Sequence, residues 1–122
     1  MYFTQGSGAH FCIGALIDEG GNDRHELYDV GGAGLGFGWD FAFALLLDKG
    51  GNDTYRANNN SMGRADIRAN GLLIDLGGDD EYAYPAAQQG LGVAPFQAQY
   101  AKVTYNPGPY TYYANSLGLL LD

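Results

Sequence analysis

The sequence predicts an all-β fold, a parallel β-solenoid with about 27–30 residues per turn. Three observations predict it. A short motif recurs as IDEGGND at 17–23, LDKGGND at 47–53 and IDLGGDD at 74–80, and LGLLLD at 117–122 opens a fourth copy. The leading aspartates, Asp18, Asp48, Asp75 and Asp122, are therefore spaced by 30, 27 and 47 residues. A second marker, the glycines at 6, 32, 63 and 90, advances by 26, 31 and 27 and so keeps nearly the same period.

Each unit opens with small residues: Gly6-Ser7-Gly8, 31–36, Ser61-Met62-Gly63 and Gly90-Leu91-Gly92. An apolar pair follows, Leu16-Ile17, Leu46-Leu47, Leu73-Ile74 or Leu120-Leu121, which predicts a short strand and an inner column of leucine and isoleucine. A Gly-Gly pair at 20–21, 50–51 and 77–78 then reverses the chain, because paired glycines permit positive φ. Two residues beyond the Asn-Asp or Asp-Asp pair stands Tyr55 or Tyr82, so the rings are expected to stack as a ladder; the first unit has His25 at that position. The motif copies occupy 16–28, 46–55, 73–82 and 117–122. Phe37, Trp39, Phe41 and Phe43 alternate with period two, as in a strand. The third unit carries an insertion at 94–113, where Asn106-Pro107-Gly108-Pro109 signals a turn; a hairpin of 97–105 with 110–116 fits it. The competing architecture makes each motif an antiparallel hairpin, with strand 72–76, turn 77–80 and strand 81–84.

The 122 residues are enough for one domain, 1–122. Repeat arrays need capped or continued ends, so the missing fourth glycine pair points to a piece of a longer chain. Glycine, at 20 of 122 residues, is more than twice the usual ~7%, in keeping with a turn-rich β protein. Fourteen acids against six bases give a net charge of −8, which argues against nucleic acid and anionic membranes and favours cations. The longest apolar stretch, 41–47, is too short to span a bilayer.

Stacked units would bring Asp18, Asp48 and Asp75 into one column and Asp23, Asp53 and Asp80 into another. Like charges so close need an offset. In one reading, each carboxylate caps its own turn amides. In the other, Ca²⁺ lies between successive turns, held by Asp18, Asn22, Asp23, Asp48, Asn52, Asp53, Asp75, Asp79 and Asp80. Ca²⁺ takes six to eight oxygens from flexible loops, which D-x-G-G-[ND]-D supplies; Mg²⁺ demands stricter octahedral geometry.

The stretches Gly20-Gly21-Asn22-Asp23, 50–55 (GGNDTY) and 77–82 (GGDDEY) resemble the glycine- and aspartate-rich calcium repeats of secreted bacterial toxins and proteases. That resemblance implies a parallel β-roll with Ca²⁺ in its glycine-rich turns. Here the motif comes once per 27 to 30 residues and not in unbroken tandem.

Catalytic signals are sparse. His10 and Cys12 would share one face of a strand, but Cys12 reads as a small hydrophobe filling the interior. The run 31–36 lacks the Gly-Lys-Ser/Thr ending of a phosphate loop. Asp40, Asp66 and Glu26 are the acids outside the motif worth noting, and Asp66 is expected to form surface pairs with Arg64 and Arg68. The expectation is a non-catalytic structural or adhesive repeat protein at the cell surface or outside the cell. It would be stabilised by Ca²⁺ and would self-associate through open ends into filaments. The alternative is a polysaccharide-binding or polysaccharide-cleaving domain on the same scaffold, with tyrosines stacking on sugar rings.

Overall fold

A computed structural model describes residues 2–27, 32–57, 60–83 and 116–122. The first unit supplies β1 (Tyr2–Phe3), β2 (Gly8–Ala9), β3 (Ile13–Asp18) and β4 (Arg24–Glu26). The second repeats the set as β5 (Gly32–Ala33), β6 (Gly38–Trp39), β7 (Phe43–Asp48) and β8 (Thr54–Arg56). The third gives β9 (Ala65–Asp66), β10 (Asn70–Asp75) and β11 (Glu81–Ala83), and β12 (Leu117–Leu121) opens the fourth. Among the described residues there is no helix, and every strand pair is parallel.

Equivalent strands join across units in four sheets, ordered β1-β5, β2-β6-β9, β3-β7-β10-β12 and β4-β8-β11. The motif spacing is the register: Asp18 lies opposite Asp48, and Asp48 opposite Asp75. β10 and β11 lie in different sheets, so the motif is not an antiparallel hairpin. The insertion at 94–113 and its hairpin lie outside the described residues. Among the described residues no helix is long and apolar enough to cross a membrane.

Turns hold the same register. Gly51 N–H donates to Gly77 O at 3.0 Å, and Gly21 N–H to Gly50 O at 3.2 Å. Gly51 and Gly78 have φ of +155° and +157°, and a Cβ on either would stand 1.5 Å from the carbonyl oxygen of the preceding turn. Side chains are excluded there by contact as well as by conformation. A second corner places consecutive left-handed residues at Asp40 (φ 54°) and Phe41 (φ 59°), with matching pairs at 10–11 and 67–68. That corner cuts the expected strand through Phe37 and Phe43 into β6 and β7. The expected single face is lost with it: Phe37 is buried, whereas Phe41 and Phe43 are exposed.

The core joins Leu35, Leu46, Tyr55, Ala57, Met62 and Leu73, with Leu16, Leu27, Tyr82 and Leu120 packed against it. The leucine preceding each motif pair points inward. Its neighbour points outward, so Ile17, Leu47 and Ile74 do not join the expected inner column. Cys12 is exposed, not interior; its Sγ accepts the Ala9 N–H at 3.0 Å.

Candidate cation site between the units

The alternation that buries Leu46 and Leu73 also buries the residue two places on. Asp48 is 0% exposed and Asp75 2%, whereas Asp18, on the end strand, is half-buried. Each closes an Asx turn: Oδ1 of Asp18, Asp48 and Asp75 accepts the N–H of Gly20, Gly50 and Gly77 at 3.2, 3.0 and 3.0 Å. The capping reading is thus realised by one oxygen of each carboxylate. The other oxygen, Oδ2, turns into the core.

There it meets the ring column. Seven residues separate each leading aspartate from His25, Tyr55 or Tyr82, a constant spacing that the sequence carries and that was not connected to the carboxylates. The rings stack as expected, His25 on Tyr55 at 5.2 Å and Tyr55 on Tyr82 at 4.8 Å. The Tyr55 hydroxyl lies 2.8 Å from Asp75 Oδ2 and 3.1 Å from Asp48 Oδ2. A hydroxyl has one proton and serves one of these anions at a time. Burial and the two carboxylates push the Tyr55 phenol well above its ordinary value.

Asp53 completes the cluster. Its Oδ1 accepts the Asp23 N–H at 2.6 Å, as Asp80 Oδ1 accepts the Asp53 N–H at 2.7 Å. Its Oδ2 is buried without a hydrogen-bond partner, and so is Oδ2 of Asp80. Asp53 is 2% exposed, and carboxylate oxygens of Asp48, Asp53 and Asp75 lie within 4.8 Å of one another. Burial, then repulsion from Asp48, Asp75 and Asp80, outweighs the Asp23 amide and raises its carboxyl above the ordinary range. Asp80 is raised likewise, by burial and by Asp75 and Asp122.

The preceding junction differs. His25 Nε2 is 3.3 Å from Asp48 Oδ2 and 3.8 Å from Asp18 Oδ2, and its Nδ1 faces Gln5 Oε1 at 3.3 Å. An oxygen thus stands at each nitrogen of the imidazole. The equivalent position of the next unit is the phenol of Tyr55.

Of the nine residues expected to hold a metal, then, Asp48, Asp53 and Asp75 converge at one point, and Asp18 joins Asp48 at the His25 junction. Asp23 and Asp80 are half-buried at neighbouring levels of the column. Asn22 and Asn52 stand on the exposed side of the turn, where their Oδ1 atoms accept the N–H of Asn52 and Asp79 at 2.9 and 3.1 Å. Asp79 is exposed beside them.

Compared with protein-family models, curated proteins and solved structures, the chain matches none.

Asp40, Glu26 and Asp66 do not converge. Asp40 bonds His10 at 2.8 Å, and Glu26 bonds Arg24 at 2.6 Å. Arg64 donates to Asp66 Oδ2 from Nε at 3.0 Å and from Nη2 at 2.8 Å, and to Oδ1 from Nη2 at 3.1 Å. Both are buried, so the expected surface pair is an interior one.

Proposed function

We propose that the chain is a non-catalytic structural or adhesive repeat protein, a parallel β-solenoid whose successive turns are tied together by Ca²⁺. One observation carries the reading: the unpartnered, buried Oδ2 of Asp53 beside the carboxylates of Asp48 and Asp75. Three carboxylates in a space this size need an offset, and a bound cation supplies one. The donors are all oxygen, as hard cations prefer, and oxygens around Ca²⁺ at 2.3–2.6 Å stand at most about 5 Å apart. Mg²⁺ fits less well, because it dehydrates reluctantly and this site is buried.

The role that follows is mechanical. Parallel stacking places aspartates in columns, and a bound cation turns their mutual repulsion into a bridge between units 27 residues apart. A protein locked this way suits a setting rich in calcium, outside the cell or at its surface, where sites of 10⁻⁴–10⁻³ M affinity fill.

The test is calorimetric titration of metal-stripped protein with CaCl₂, followed by thermal melting watched by far-UV circular dichroism. Saturable binding with a rise in melting temperature is the expected result. No heat and no shift at millimolar Ca²⁺ would sink the reading and leave protonation of Asp53 as the offset.

A further inference from the structure

Parallel sheets are nearly always covered on both faces, and their strands read as continuous apolar runs. The four-stranded sheet has such runs, including IGALI at 13–17, FALLL at 43–47 and LGLLL at 117–121. One face is the core. The other points outward with Ile13, Ala15 and Ile17 on β3 and Phe43, Leu45 and Leu47 on β7, and it continues across β10 and β12. Three outward positions on each of four strands make twelve, and Asn70 is the only polar one. None is ionisable, in a chain of net charge −8.

This face is only half covered. Ile13 is 80% exposed, Ile17 56%, Leu117 53% and Leu121 50%. Beside it, Phe11 and Phe41 stack at 4.9 Å and extend the apolar surface past the strand starts. With large side chains of roughly 150–250 Å², the exposed apolar area comes to about 650–1,000 Å². That exceeds the ~300–600 Å² of the largest patch on an ordinary monomer. It matches the ~800 Å² that each partner brings to a standard interface.

We propose that the outward face of this sheet is an isologous interface between two copies of the chain. A two-fold axis sets each patch against its own copy, with sheet packed on sheet about 10 Å apart. The chemistry selects a like partner. The strand positions of this face carry no charge, and beside them the Arg68 guanidinium lies 5.1 Å from the centre of the Phe41 ring, whereas a second copy brings an equally apolar sheet face. The contact is a face, not the open end of the repeat stack, so it closes at two copies.

Sedimentation velocity from about 2 to 200 μM tests this. The expected result is a saturating monomer–dimer equilibrium that tightens as NaCl screens the net charge. Ile13→Lys with Ile17→Lys should raise the dimer Kd more than tenfold while the far-UV spectrum is kept. If that pair disturbs the spectrum, Ile13→Lys alone, at the most exposed position, makes the same comparison. A monomer at 200 μM would overturn the proposal, whether other residues of the chain or a different partner cover the face. An open-ended series of oligomers, or a dimer indifferent to lysine, would overturn it too.

Discussion

Replacing Asp53 by asparagine separates the cation reading from simple turn capping. The variant keeps Oδ1 for the Asp23 amide and exchanges the unpartnered Oδ2 for an NH₂ group facing the carboxylates of Asp48 and Asp75. In metal-free protein this removes a buried, unsatisfied acceptor, a defect worth about 1–3 kcal/mol, and removes a like charge as well. For a chain of this size the melting temperature should rise by roughly 3–10 °C. In Ca²⁺ that lead narrows. At one hundred times its Kd the ion stabilises the native protein by about 2.7 kcal/mol; a variant bound tenfold more weakly gains about 1.4 kcal/mol. Differential scanning calorimetry of both proteins, with chelator and with CaCl₂, reads these four numbers. If Asp53→Asn lowers the metal-free melting temperature, or if Ca²⁺ lifts both proteins equally, the carboxylate trio holds no cation.

Further outcomes follow from the same geometry. Without metal, the raised carboxyls of Asp53 and Asp80 bind more protons folded than unfolded. Their stabilising effect is complete below the unfolded value of 3.8 and is lost as pH rises through the raised folded one, so the melting temperature should fall as pH climbs above 3.8. Asp53→Asn should flatten that fall, and melting curves across pH check it. Tyr55→Phe keeps the ring stack but withdraws the hydroxyl shared by Asp48 and Asp75; urea unfolding should show a loss of about 1–3 kcal/mol. Gly51→Ala drives a Cβ into the Gly21 carbonyl and should cost at least ~3 kcal/mol or abolish soluble expression. Gly77→Ala meets no atom within 4 Å and should cost only the backbone strain, about 1–3 kcal/mol.

The spacing of the aspartates was legible as register because every unit repeats the same turn. An insertion between units changes the distance along the chain but not the pairing, which is why β12 still pairs in register with β10 across 47 residues. The column of stacked rings was legible for the same reason, with His25 in place of a tyrosine. Less legible was which side of each strand faces the core. Alternation assigns faces only when one face is polar, and in FALLL or IGALI both are apolar, so a shift of one residue leaves the pattern equally good. That ambiguity put Ile17 and Ile74 in the expected inner column and hid the apolar outer face.

The sequence by itself determined the repeat, its glycine turns and its parallel β character, since local turn chemistry and a constant period demand them. Only the tertiary structure decided that Asp48 and Asp75 point inward, that Asp53 arrives beside them, and that Arg64 and Asp66 pair in the interior. These contacts depend on the direction of each side chain, and the first two also join separate units. Direction is fixed when neighbouring units pack, not by the residues of any one of them.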